Sequence, residues 1–272
     1  MIFRAFLAAL LFLVLSQEGA AAGDPISSLM NPTTSIPSLN IDNKKEVSCE
    51  KIQTGKPFVI LSLGQSLVGN HNGTPSWWKS GPKRVFEFWS GHCYEASYPL
   101  YGATGDRKSF ILPLADLVAQ ATHGDVLLLT VAAGGADIAR FSRNGDLNDL
   151  VKSQITGLKR AGLKPTIVLF EMGQVDRDKK IKYFKRMISS MISSFRAISV
   201  DAPFFITIDT RLSWSIKSHL PTQEIIIGNP NTYIGPKIDL IVNRPDGTHF
   251  DEEGILLQAG MWFQSINYYF DW

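Results

Sequence analysis

Two short stretches of this chain hold residue types that could do acyl chemistry together. The first is Gly64-Gln65-Ser66, which follows the apolar run Phe58–Leu63. A serine at the carboxyl end of a buried parallel strand stands where open α/β sheets carry out chemistry. An isolated serine is a poor nucleophile, however, and needs a base and an orienting acid. The second stretch, Asp246-Gly247-Thr248-His249, offers both. An acid and a histidine three residues apart on one turn can face the same crevice, with Asp246 fixing the tautomer of His249 while His249 takes the serine proton. Taken alone, the same four residues also suit a turn begun by Asp246, with His249 packed at a helix start.

The elements that must position these groups are legible as alternation. Phe58–Leu63, Asp125–Ala133, Thr166–Met172 and Phe204–Thr210 are continuous apolar runs of strand length, and Ile238–Val242 reads as a fifth, shorter strand. Between them Ser109–Thr122, Asn148–Ala161 and Lys179–Ile198 have helical spacing, and Asp251, Glu252 and Glu253 open a last helix running to about Tyr268. Strands and helices alternating in this way predict an α/β fold, a parallel sheet with helices on both faces. About 40 residues after Ser66 lack a period and read as one long loop. That loop carries Trp77, Trp78, Phe86, Phe88, Trp89, Tyr94, Tyr98 and Tyr101, which either pack it onto the sheet or offer platforms for a ring-shaped ligand.

Composition narrows the classes. A chain of 272 residues with 44% hydrophobic and 19% charged residues suits one medium domain and excludes wholesale disorder. The formal charge of +2 comes from scattered lysines and arginines, which argues against a nucleic-acid partner. Residues 1–22 have the pattern of a secretory signal peptide: Arg4, an apolar run from Ala5 to Leu15 too short to span a membrane, and Ala20-Ala21-Ala22. A secreted or periplasmic protein without a membrane span is therefore expected. Residues 23–48, rich in Ser, Thr, Asn and Pro, read as a leader or linker before a domain at 49–272. Cys49 and Cys93 can pair in an oxidising compartment, although sequence gives no distance between them, and two cysteines cannot build a four-thiolate zinc site. No heptad or single apolar face indicates an oligomeric state.

Taken together, Gly64-Gln65-Ser66 and Asp246-x-x-His249 resemble the SGNH hydrolases, or GDSL-type esterases, and most closely their sialate O-acetylesterase and acetylxylan esterase branch. The resemblance covers residues 56 to 268. It implies a three-layer α/β/α sandwich of flavodoxin-like type that hydrolyses O-acyl esters, commonly acetyl groups on carbohydrates, without metal or organic cofactor. It makes Ser66 the nucleophile, His249 the base and Asp246 its orienting acid. Ala132-Ala133-Gly134-Gly135-Ala136-Asp137-Ile138 is similar to the family's Gly-Gly-Thr/Ser-x-Ile block, so the oxyanion would be held by the Ser66 amide and by Gly134 or Gly135.

The chain departs from the branch at two places. Where the third strand should end in Trp-x-Gln-Gly-Glu-x-Asp it reads Phe170-Glu171-Met172-Gly173-Gln174-Val175-Asp176, and Met172 cannot donate a hydrogen bond. Gln174, two residues on, is expected to supply the missing amide. Leu67 stands where asparagine is frequent, with Asn70, His71 and Asn72 as residues that could compensate. Gln65, Asp137, Asp176 and Trp89 are the candidates for substrate contacts. The motifs thus point to removal of acetyl from a carbohydrate; an acetyltransferase using the same triad, or a glycan-binding module on the same fold, are the alternatives.

Overall fold

The computed structural model describes residues 44–74, 84–213, 215–216 and 222–272. The expected signal segment, all of the expected leader before Lys44, Trp77, Trp78 and His219 lie outside the described residues. In chain order the elements are β1 (Glu46–Val47), α1 (Cys49–Thr54), β2 (Phe58–Gly64), β3 (Val85–Trp89), β4 (His92–Glu95), α2 (Ile111–Thr122) and β5 (Val126–Ala132). Then follow α3 (Asp146–Arg160), β6 (Ile167–Met172), α4 (Ile181–Arg196), β7 (Phe204–Ile208), the small pair β8 (Arg211–Leu212) and β9 (Ser215–Ile216), α5 (Thr222–Ile226), β10 (Thr232–Ile234) and α6 (Glu252–Phe270).

Among the described residues, eight strands form one sheet in the order β1-β4-β3-β5-β2-β6-β7-β10. All pairs from β3 to β10 are parallel, and β4 and β1 add antiparallel strands at one edge. Without that edge and β3, the order β5-β2-β6-β7-β10 is the flavodoxin-like one, with its reversal at β2. Alternate residues serve the two helical layers. Val59, Leu61 and Leu63 of β2 join the core with α3 and α4, whereas Ile60 joins the core with α2 and α6. The fully buried faces explain why β2, β5, β6 and β7 read as continuous apolar runs.

Three expectations need correction. The long loop after Ser66 contains the hairpin β3–β4, whose strands are too short to show a period and whose aromatics are mostly packing groups: Phe88, Tyr94, Tyr98 and Tyr101 are buried. The fold also begins before Cys49. Glu46 and Val47 pair with β4, and Lys44 is buried in an ion pair with Glu87, lowered in pKa by burial against the opposing pull of that carboxylate. Finally, Ile238–Val242 is no strand. Ile238–Leu240 is a 3-10 turn that buries Ile238 and Ile241 and exposes Leu240 and Val242, a spacing of three where a strand would show two. The fifth parallel strand of the central set is β10, three edge residues with little apolar signal. Cys49 and Cys93 form a disulfide that pins α1 to β4.

Candidate active site

Sheet register brings the expected catalytic loops to one level. Gly64 is paired with Ala132 on one side and with Glu171 on the other, so Ser66, Gly134 and Gly173 each emerge two residues beyond a common line. The chain turns sharply after Gly64, where a Cβ would lie 2.4 Å from the Glu171 carbonyl and 2.5 Å from the Val68 side chain. The amides of Val68 and Gly69 both donate to the Gln65 carbonyl, closing a turn that holds Ser66 only 3% exposed.

The Asp246–His249 segment is docked onto that turn by Asn72. Its side-chain nitrogen donates to the Leu67 carbonyl at 2.9 Å, its oxygen accepts the Phe250 amide at 3.0 Å, and the neighbouring Gly73 amide donates to the Phe250 carbonyl at 2.7 Å. Asn72 therefore joins the residue after Ser66 to the residue after His249. Asn70 instead holds the loop at Leu100 and Ala103.

Asp246 accepts from the Thr248 and His249 amides through Oδ1, at 2.8 and 2.6 Å, and its Oδ2 lies 2.7 Å from His249 Nδ1. Burial would raise the Asp246 carboxyl, but the hydrogen bonds from the His249 ring and from the two amides outweigh it and hold the group well below the usual carboxylate range. This contact places the imidazole proton on Nδ1 and leaves Nε2 as an acceptor. Nε2 is buried and has no hydrogen-bond partner, so the link from Ser66 to His249 is not closed in this arrangement. A cleft of about 260 Å³ opens above, lined by His71, Arg107, Asp246, His249, Phe250 and Glu252 among others. A larger hollow of about 520 Å³, beside Ser90, Gln154 and Arg160, lies away from all of these groups.

A second histidine occupies the middle of the site. The His71 ring stacks on that of His249 with centroids 5.8 Å apart, and its Nε2 lies 2.8 Å from Thr104 Oγ1. The same hydroxyl accepts the Gly134 amide at 2.7 Å. Burial, with the charge of His249 second, pushes the His71 ring down to about 4, so it is neutral at ordinary pH. Glycine at 134 follows from this crowding, since a Cβ there would meet His71 Nε2 at 2.9 Å. Glycine at 135 has a different cause. It has φ +69° at the third position of the turn closed by the Ala136 amide on the Ala133 carbonyl, where a side chain is strained.

Gln174 does not stand as an amide donor toward this centre. Its Nε2 donates to Asp209 Oδ2 at 2.9 Å and to the Arg211 carbonyl at 2.7 Å, which takes both protons, and its Oε1 accepts Gln65 Nε2 at 2.6 Å. The strand parity that links Met172 to Gln174 is broken at Gly173, whose φ of +133° redirects the chain. Met172 itself is fully buried in the α3–α4 core. The glutamine pair continues into Arg244, also buried, which donates to Asp209 Oδ2 at 3.3 Å and to the Thr248 carbonyl at 2.9 Å. Burial raises Asp209 well above its usual range against the pull of Arg244, and Asp239, which hydrogen-bonds it, is held low.

The remaining candidates have structural partners. Asp137 caps the 3-10 turn Ile138–Phe141 through the Arg140 amide, and buried Asp176 accepts the Ile138 amide at 2.8 Å, its carboxyl raised to about 6 by burial. Trp89 packs on the α3–α4 core with its ring against Gly102. Among the described residues no group of three or more His, Cys, Asp or Glu side chains is arranged to hold a metal ion, and no helix is long and apolar enough to cross a membrane. Arg244, Thr104 and Asp209 carried no motif in the sequence; only the Arg211 and Arg244 charges beside Asp209 and Asp239 hinted at a buried network.

No family model matches the chain, and no curated protein matches it in sequence. Solved structures share its fold. An Arabidopsis thaliana protein superposes with TM-score 0.60 at 16% identity, covering 76% of this chain and 97% of that one. A carbohydrate acetylesterase from Xanthomonas citri gives TM-score 0.54 at 13% identity over 78% of this chain and 56% of the other, so this chain spans about half of that protein. A family 3 carbohydrate esterase from Clostridium thermocellum gives TM-score 0.50 at 14% identity, covering 79% and 98%. The likeness bears out the expected three-layer α/β/α fold.

Proposed function

We propose that this chain is a serine esterase that removes O-acetyl groups from a carbohydrate, exported to an oxidising compartment by its first 22 residues. The observation that carries the reading is the buried, unpartnered Nε2 of His249, its Nδ1 held by Asp246 and its loop stapled by Asn72 to the turn of Ser66. Nothing in the packing of the fold requires an acceptor nitrogen kept bare at that place, whereas a general base does. The carbohydrate is supported by the fold shared with two enzymes described as carbohydrate esterases. The Cys49–Cys93 disulfide supports export.

In this mechanism Ser66 Oγ adds to the acetyl carbonyl carbon as His249 Nε2 takes its proton, and the carbonyl electron pair moves onto oxygen. The tetrahedral species collapses, the carbon–oxygen bond to the sugar breaks, and His249 returns the proton to the departing hydroxyl. Water then repeats the sequence on acetyl-Ser66 and releases acetate. The step requires the Ser66–His249 hydrogen bond to close as substrate is seated. The test is turnover of 4-nitrophenyl acetate and of acetylated oligosaccharides by the wild-type chain and Ser66→Ala. Release of acetate that disappears in Ser66→Ala supports the reading. Equal rates for the two chains on every substrate, or acetyl moved quantitatively to an added sugar, would defeat hydrolysis as the activity.

A further inference from the structure

Neither residue at the end of β6 supplies the side-chain part of the oxyanion site: Met172 is core, and both protons of the Gln174 amide are committed to Asp209 and Arg211. Two other groups converge instead on a single oxygen. The Gly134 amide donates to Thr104 Oγ1 at 2.7 Å, and His71 Nε2, a donor in one neutral tautomer and an acceptor in the other, lies 2.8 Å from the same atom; with the proton on Nε2 this is the distance and the pairing that a tetrahedral oxyanion asks of its donors. The His71 ring is wedged among all the other parts of the reaction. It stacks on His249, touches Gly134, and lies against Gly69 at the end of the Ser66 turn, where a Cβ would meet its Cδ2 at 3.2 Å.

We propose that His71 is a catalytic residue, donating Nε2–H to the oxyanion beside the Gly134 and Ser66 amides, with the Thr104 hydroxyl holding the oxyanion's place until substrate arrives. This rests on the esterase reading above. As Ser66 adds to the carbonyl and His249 takes its proton, the new negative charge on the carbonyl oxygen is met by His71, which gives no proton away. A neutral imidazole is the suitable donor. An imidazolium stacked on His249 would repel the charge that His249 acquires when it accepts the serine proton, and burial keeps His71 from becoming one. Thr104 is fixed through its backbone to Ala132 and Asn70, so its side chain can turn without moving the strand.

The experiment compares wild type, Ser66→Ala, His71→Phe and His71→Gln, since glutamine places an N–H near the position of Nε2 and phenylalanine keeps the ring without it. Two readouts are taken: turnover of 4-nitrophenyl acetate, and the rate at which 4-nitrophenyl ethyl methylphosphonate labels Ser66, followed by mass spectrometry. Loss of the donor is expected to lower kcat and labelling by about 100- to 1000-fold with KM changed less than about twofold, and glutamine to recover at least about tenfold. If His71→Phe turns over and labels like wild type, or if Phe and Gln are equally slow while unfolding at the wild-type temperature, His71 is a packing residue and the assignment falls alone. If wild type, like Ser66→Ala, neither hydrolyses nor is labelled, the esterase reading falls and His71 with it.

Discussion

Glu171 gives the sharpest physical prediction in this molecule. It projects from β6 into the α2–α6 layer, 1% exposed, where Gln258 Nε2 donates to both of its oxygens at 2.8 and 3.0 Å and Trp262 Nε1 donates at 2.8 Å. Burial raises the carboxyl to about 7 in spite of these donors. The ordinary value of 4.5 then describes the unfolded chain. Because the folded value is the higher one, the folded state binds the extra proton between the two. The contribution of this group is fully present below about pH 4.5 and is lost as pH rises through about 7. At 1.36 kcal/mol per factor of ten, the wild-type chain should lose about 3 kcal/mol of stability from this residue between pH 4.5 and 8. Glu171→Gln should remove that slope, being less stable or equal at pH 5 and more stable at pH 8. The buried Gln258 Oε1, which has no partner opposite the carboxylate, would gain a donor after rotation of either amide. Urea unfolding followed by circular dichroism at several pH values reads the difference directly. Parallel curves for the two chains would refute the burial argument.

The Arg244 network predicts a combined defect. Arg244→Met would leave the Ile238, Ile241 and Thr248 carbonyls without their donor and should cost roughly 3–5 kcal/mol while lowering kcat through the His249 loop; Arg244→Lys should rescue little, because lysine cannot fork to those oxygens. Denaturation and turnover on the same preparations check both halves. The disulfide closes a segment with a sequence separation of 44, so replacing Cys49 and Cys93 by alanine should lower stability by about 4 kcal/mol on the chain-entropy model, with KM unchanged.

What could be read from sequence was whatever repeats or sits close together along the chain. β2, β5, β6 and β7 are buried on both faces and so carry long apolar runs, and α4 buries Phe184, Ile188, Met191, Ile192 and Phe195 at helical spacing. Asp246 and His249 were legible for the same reason, since three residues on one turn suffice to make their contact. β10 was not legible because two of its three side chains face solvent, and Ile238–Val242 misled because isoleucine and valine favour strands while the burial period was three. Gln174 misled for a related reason, as strand parity was extended through a glycine that breaks it.

The site illustrates why the harder part lies in pairs far apart in sequence. His71 and Thr104 are 33 residues apart, and Asn72 and Phe250 are 178 apart. No local pattern records either contact. Yet the place of His71 is the consequence of a backbone requirement that sequence does show. Gly69 and Gly105 admit the His71 ring because a Cβ on either would crowd its Cδ2, and Gly134 admits Nε2 because a Cβ there would collide with it. Three glycines on three separate loops therefore surround one imidazole. Their common meaning is a cavity for a ring, and a histidine held neutral there has a reason to be a donor that a phenylalanine would not.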